Sequence, residues 1–333
     1  MDDAVSNADA VVEGSLKWSF LTGDDLPDLA DLREAIDYFD DPLERRDLPS
    51  LRRDFERDVH LDGYRATVGR DSGGTVVAYA WIHPSVSPEL SSHVWLDVGV
   101  HPAARHRRIG RRLIDWCANR ARDWHASAPR DEPLWLGYLV DEKFTGLRGA
   151  LSDAGFTPQR WYFDAHLQFD DHAVPPLPVV PGVRLVHYDP ALSEPVRVAH
   201  NAIHGVLPGA KPYTRADWEW SLGETHERPE WSWVALDADN SVVGYALNTM
   251  YVDDDAAESE GWTTRLGVLE PWRHHGIGLA LIVSSMHSFR EAGLDGAGLG
   301  VDTGDPDSAT RLLDRCGFAI QDRVVLYVRE LSQ

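Results

Sequence analysis

Residues 98–114, VGVHPAARHRRIGRRLI, return as residues 266–282, LGVLEPWRHHGIGLALI, with Gly, Val, Arg, His, Ile, Gly, Leu and Ile at matching places. The loop arginines Arg105 and Arg273 are 168 residues apart. A second pair, VVAYA at 76–80 and VVGYA at 242–246, is spaced by 166, and a third, DAGF at 153–156 and RCGF at 315–318, by 162. Three matches in the same order at nearly one spacing indicate duplication of a whole domain, because the period is about half of the 333 residues and far exceeds that of a solenoid repeat. Two domains of ordinary size also suit a chain of this length.

The chain divides accordingly into an acidic N-terminal tail at 1–15, a first domain at 16–169, a linker at 170–181 and a second domain at 182–333. Four prolines in DDHAVPPLPVVPGV (170–183) make the connecting stretch extended and semi-rigid. Within each half the order of elements is the same. Helical material (LPDLADLREAIDYFDD; ALSEPVRVAHNAIHGVL) precedes hairpin strands, which turn at Ser72-Gly73-Gly74 and at Asp237–Asn240. A strand, an Arg/Gly loop and a helix follow. Another strand, a short helix ending in Gly-Phe and a final pair of strands complete each half. The expected fold is α+β, with two tandem domains that each hold a mixed, mainly antiparallel sheet flanked by helices.

The loop before the second of the paired helices carries the chemistry. Glycine costs a helix about 1 kcal/mol relative to alanine, so Gly276 and Gly278 at a helix start call for another purpose. Unpaired N–H groups and the positive end of the helix dipole favour phosphate there. Bare glycines let a pyrophosphate approach the backbone, and Arg273, His274 and His275 add positive charge. Neither the dinucleotide fingerprint nor the P-loop pattern is present.

Strand LGV, then Arg273-x-x-Gly276-x-Gly278, then a later helix ending in Gly-Phe resembles the GNAT superfamily of acyl-CoA-dependent N-acyltransferases, whose signature is Q/R-x-x-G-x-G/A. The likeness covers both halves and is similar to the tandem arrangement of mycothiol synthase. It implies that the loop amides of Arg273, His274, His275, Gly276, Ile277, Gly278 and Leu279 hold the coenzyme A pyrophosphate. It also implies that the backbone of Leu266, Gly267 and Val268 pairs with the pantetheine arm, on a strand that splays from its neighbour. The corresponding positions of the first half are Val98, Gly99 and Val100, then Arg105, His106, Arg107, Arg108, Ile109, Gly110 and Arg111. Arg108 stands in place of the first glycine. In the right-handed conformation it is compatible with a helix start, which leaves the second half the better cofactor site.

The family's usual acid and base are missing. Six residues before Val268 and Val100, where many members carry glutamate, stand Trp262 and Val94; Leu313 and Leu151 replace the frequent tyrosine. Glu260 lies two residues before Trp262, on the same strand face, and a bulge would bring it into reach as the base; a solvated acidic run, DDDAAESE (253–260), is the plainer role. Tyr245, Tyr251 and Tyr213 are substitutes for the acid, with Tyr245 the candidate. Positioning with a water chain is a further route. The acceptor pocket is expected from 200–220, through His204, Tyr213 and Trp218, although Trp218 and Trp220 also suit packing. Cys117 and Cys316 read as core residues.

With 54 acidic and 32 basic residues, a formal net charge of −22 repels phosphate backbones and anionic lipid. No nucleic acid or membrane partner is therefore expected. No basic leader and no apolar run near the ~18 residues of a membrane span appear, and the expectation is a cytoplasmic monomer or homodimer without a metal. The expected activity is acetyl transfer from acetyl-CoA, or another acyl-CoA, to a small-molecule amine by the second half. The alternatives are a non-catalytic acyl-CoA-binding protein and a mycothiol-synthase-like acetylation of a cysteinyl amine.

Overall fold

The computed structural model describes residues 16–42, 45–60, 65–85, 92–105, 108–127, 132–169, 173–204, 212–252 and 259–331. They form two compact units, Met1–Arg160 with Val324–Gln333, and Trp161–Arg323.

The first unit contains β1 (Lys17–Phe20), α1 (Leu26–Asp40), α2 (Leu48–Asp58), β2 (Arg65–Arg70), β3 (Val76–Pro84), β4 (His93–Val100), α3 (Ile109–Ala126), β5 (Leu134–Asp141) and α4 (Thr145–Asp153). Strand β6 (Thr157–Gln168) follows. The second unit continues with β7 (Arg184–His187), α5 (Ser193–His204), α6 (Arg215–Glu224), β8 (Trp233–Leu236), β9 (Val242–Val252), β10 (Ser259–Val268), α7 (Ile277–Glu291), β11 (Gly296–Thr303) and α8 (Pro306–Cys316), before β12 (Ala319–Leu331). The sheet order is β1-β2-β3-β4-β5-β12 in one unit and β7-β8-β9-β10-β11-β6 in the other. Only β4–β5 and β10–β11 among the paired strands within each unit run parallel. Each unit is thus the mixed, mainly antiparallel sheet with flanking helices read from the sequence.

Local chemistry sets the element ends. Asp47 and Asp305 cap α2 and α8 by accepting from the N–H groups of Ser50 and Ser308. Gly317 ends α8 in the left-handed region at φ +86°. The hairpin turns fall where expected, between β2 and β3 and between β8 and β9.

Two features differ from the sequence reading. Each half of the duplication opens on a four-residue strand, KWSF or RLVH, too short to carry a periodic signal. The closing segments are single strands of 12 and 13 residues rather than pairs, and each runs from one unit into the other. Residues 161–168 of β6 pair with β11, whereas 324–331 of β12 pair with β5. Phe163, Ala165 and Leu167 bury with Ile282, Met286 and Phe289 of α7 and with Leu313 and Cys316 of α8. The first compact unit gives way to the second inside β6; of the 170–181 stretch, residues 170–172 lie outside the described residues, as do 1–15.

In the second unit α5 and α6 cover one sheet face, with Val196, Ala199 and Trp218 packed on Val234, Tyr245 and Leu247. Helix α7 covers the other, through Ile277, Ala280 and Leu281 on Ala235, Val243 and Ala246.

Candidate active site

Between β10 and α7 the chain makes a 3-10 turn at Glu270–Trp272 and then turns left-handed twice, at His274 (φ +64°) and Gly276 (φ +87°). Gly276 is the N-cap of the 15-residue helix α7, and no side chain caps the helix there. A Cβ on Gly276 would meet nothing within 4 Å, and one on Gly278 only Leu312 and Val268 at 3.9 Å. The first amides of α7 thus have no side-chain cap and lie at the positive end of the helix dipole, beside two glycines with open space around their Cβ positions. Arg273, His274 and His275 are exposed beside them. Arg273 is pinned at its base, its Nε donating to the Val268 carbonyl at 3.2 Å. Ile277 and Leu279 point their side chains into the core, so only their N–H groups are available.

The strand leading into this loop parts from its parallel neighbour. Pairing between β10 and β11 runs from Glu260↔Gly296 to Thr263↔Leu299 and stops. Beyond it, Arg265 to Val268 pair only with β9 among the described residues, and a bulge at Thr264, between Thr263 and Arg265, marks the parting point. One edge of Leu266, Gly267 and Val268 is therefore open.

A polar and aromatic cluster sits on the α5 side of this opening. Tyr245 of β9 is fully buried, lying against Gly267, where a Cβ would come within 2.8 Å of its ring. Its hydroxyl is 2.7 Å from His200 Nδ1. Burial, with the charges of His204 and Arg265, lowers the His200 pKa to about 3, so the imidazole is neutral, and its tautomer sets whether Nδ1 donates to the phenol oxygen or accepts the phenol hydrogen. Burial pushes the Tyr245 phenol well above its ordinary range. The His200 ring also touches His204 (4.7 Å), Trp218 (5.0 Å) and Tyr213 (5.3 Å between centroids). Asn201 fixes Tyr213 by accepting from its N–H and donating to its carbonyl, both at 2.9 Å. Arg265 lies over the Trp218 ring at 5.2 Å and pairs with Glu227 at 2.7 Å. Glu227 also accepts from Thr264 Oγ1 at 2.6 Å.

A family model described as Acetyltransferase (GNAT) family matches residues 27–130 and again 200–318. The chain belongs to the GNAT acetyltransferase family. A mycothiol acetyltransferase of Nocardiopsis dassonvillei is 31% identical over 102 residues, 30% of this chain. That match spans 31% of the relative's own length. The crystal structure of a GCN5-related N-acetyltransferase from Sphaerobacter thermophilus superposes with TM-score 0.62 at 22% identity, covering 96% of each chain. A GCN5-related glucosamine N-acetyltransferase region of a fungal multi-domain β-N-acetylglucosaminidase gives TM-score 0.54 at 14% identity, with 98% of this chain and 39% of that one covered. These structural likenesses carry the fold.

The first GNAT unit repeats the geometry with altered chemistry. Pairing of β4 with β5 stops after Trp95↔Gly137, leaving Val98, Gly99 and Val100 beyond the split. Gly99 lies against Tyr79 as Gly267 lies against Tyr245. Arg108 is the N-cap of α3 at φ +60°, ψ 16°, so it is left-handed and not right-handed as expected: it copies the turn of Gly276 with a side chain that disfavours it. Arg105 keeps its bond to the carbonyl of Val100 (3.2 Å) but spends its guanidinium on Asp40, with both bonds at 2.6 Å. Arg111 pairs with Asp115 at 3.0 Å. Ile109 is buried, and a Cβ on Gly110 would meet nothing within 4 Å. His106 and Arg107 lie outside the described residues. Where the second unit has His200 and Arg265, the first has Arg33 and Asp97, which pair at 3.2 Å and share the Tyr79 hydroxyl. Burial opposes ionisation of Asp97, but Arg33 and Arg46 outweigh it and hold the carboxyl below its usual range.

His204, Tyr213 and Trp218, expected in the acceptor pocket, and Tyr245, the separate candidate for the acid, all lie around His200. Trp218 is 1% exposed, donates to Ser193 Oγ and is as much a packing residue as a lining one, while Trp220 is 67% exposed. Glu260 stands apart. Its carboxylate pairs with His166 of β6 at 3.0 Å, and the bulge comes after it, leaving it roughly 20 Å of strand from Gly267. Cys117 and Cys316 are buried, and burial pushes the Cys316 thiol up to about 12. His200, Glu227 and Arg265 were missed. The only sequence trace of any of them is the His200-x-x-x-His204 spacing, one helix turn.

Proposed function

We propose that the second unit is an acetyl-CoA-dependent N-acetyltransferase acting on a primary amine of a small molecule. The single observation that supports this best is the uncapped, glycine-opened N-terminus of α7 directly below the open edge of β10. In this reading the amides of Gly276 to Leu279, with Arg273, His274 and His275, hold the pyrophosphate, and Leu266 to Val268 line the pantetheine arm. Acetyl-CoA supplies the activated acyl group. The cluster of His200, His204, Tyr213 and Trp218 receives the acceptor. Tyr245 stays protonated through burial; with Nδ1–H of His200 donating to its oxygen, its hydrogen is free for the leaving sulfur. Proximity supplies much of the acceleration. The first unit is a degenerate copy that supports the second, since Arg105 and Arg33 are committed to carboxylates.

The relative named as a mycothiol acetyltransferase makes a cysteinyl amine one acceptor within this class. The test is release of thiol from acetyl-CoA by the purified chain with a panel of primary amines, cysteinyl amines included. Amine-dependent release is expected. A thermal shift with acetyl-CoA but no release with any amine would point to a binding protein instead.

A further inference from the structure

We propose that Glu227, in the segment between α6 and β8, is the catalytic group that receives the acceptor's ammonium and takes its proton. The inference rests on the reading of the second unit as the acyl-transfer site. Three observations carry it.

The first is an unanswered acceptor atom. The Glu227 side chain is 6% exposed. Its Oε1 is saturated, accepting from Thr264 Oγ1 at 2.6 Å, Arg265 Nη1 at 2.7 Å and Thr225 Oγ1 at 3.0 Å. Its Oε2 is buried and has no hydrogen-bond partner among the described residues. A buried carboxylate oxygen without a donor is costly to keep, and three bonds on the other oxygen prevent it from rotating away.

The second is place. Thr264 is the bulged residue at which β10 leaves β11. Its bond to Glu227 holds the carboxyl where the open edge begins, one residue from Arg265 and two from Leu266. Glu260, roughly 20 Å of strand from Gly267, has no such position.

The third is basicity. Burial raises the Glu227 pKa above the ordinary glutamate value, against the pull of Thr264 and Arg265. The neighbouring alternative is disqualified by its own environment: His200 is held neutral down to about pH 3 and its Nδ1 is bonded to Tyr245. Trp218 and Tyr213 provide faces for the alkyl or aryl part of a cationic amine.

The step balances without a further reactant. The ammonium R–NH3+ gives one proton to Glu227 Oε2. The amine lone pair forms the C–N bond at the thioester carbonyl, and the C–S bond breaks with its electron pair on sulfur. The thiolate takes the second nitrogen proton, directly or through the Tyr245 hydroxyl, and Glu227 returns its proton to solvent.

Glu227→Gln is the test, because the amide oxygen keeps the bonds to Thr264, Arg265 and Thr225 while losing the base. With acetyl-CoA and either 2-phenylethylamine or 1,4-diaminobutane as probe, kcat for thiol release at pH 7 is expected to fall about 100- to 10 000-fold. Acetyl-CoA affinity by calorimetry should change less than about threefold, and the variant should unfold cooperatively near the wild-type temperature. A kcat within about threefold of wild type overturns the assignment and leaves Glu227 a structural partner of Arg265. Should the wild-type chain use neither amine, its acetyl-CoA hydrolysis takes their place, since a water proton has the same destination. Hydrolysis unchanged in Glu227→Gln overturns the assignment equally. A wild-type chain that binds no acetyl-CoA defeats the underlying functional reading itself, a result separable from any effect of Glu227.

Discussion

Replacing Gly276 and Gly278 together by glutamate separates what the loop does for the fold from what it does for a ligand. A side chain at Gly276, with φ +87°, costs about 1–2 kcal/mol as left-handed backbone. Neither position clashes, since the nearest heavy atoms to the added Cβ atoms are at 3.9 Å or beyond. Glutamate in the first turn returns about 1 kcal/mol through propensity and the helix dipole. The unfolding temperature of the second unit should therefore drop by only a few degrees. Binding responds differently. Two carboxylates about 5 Å from two phosphates add four like-charge pairs at roughly 1 kcal/mol each in near-aqueous surroundings, a loss of about a thousandfold. Calorimetry with acetyl-CoA at low ionic strength reads the affinity, and circular dichroism on the same sample reads the fold. Affinity within threefold of wild type in a folded double variant would refute the placement of the pyrophosphate.

Arg108→Gly relieves the left-handed arginine at the start of α3 and should stabilise the first unit by about 1 kcal/mol, read as a higher urea midpoint with unchanged slope; a loss of stability would mean the arginine is held by contacts that outweigh its strain. His200, whose pKa burial lowers to about 3, contributes stability that is fully present above its unfolded value near 6.5 and is lost as pH falls toward 3. At pH 4.5, two pH units below the unfolded value correspond to about 2.7 kcal/mol, which the partial exposure of the ring reduces to a loss of about 1–2 kcal/mol. His200→Gln should flatten that part of the melting-temperature profile, whereas an identical profile would contradict a buried neutral imidazole. Glu260→Gln should lower kcat by less than about tenfold, because that carboxylate is tied to His166 away from the open edge; a hundredfold fall with normal acetyl-CoA affinity would restore Glu260 as the base.

The duplication and the loop were legible because both are local. Gly276 and Arg108 align in sequence and share the same left-handed turn, and only the handedness of Arg108 was misjudged, because a residue that any helix start accepts gives no sign of its φ. The exchange of β6 and β12 was not legible. The alternation of Phe163, Ala165 and Leu167 says that one face is buried but not in which unit, and the partner strand β11 lies some 130 residues away along the chain. The cluster proposed to receive the acceptor was half legible. Its aromatic members announce themselves by type, whereas Glu227 and Arg265 are two charged residues among many, joined only by tertiary packing.

Hydrogen–deuterium exchange on the full chain with and without saturating acetyl-CoA tests the central claim most directly, that the second unit holds the cofactor. The account predicts slowed exchange of the amides from Leu266 to Leu279, with those from Val98 to Arg111 little changed. Protection confined to Val98–Arg111, or none in either stretch under conditions where calorimetry shows binding, would contradict it.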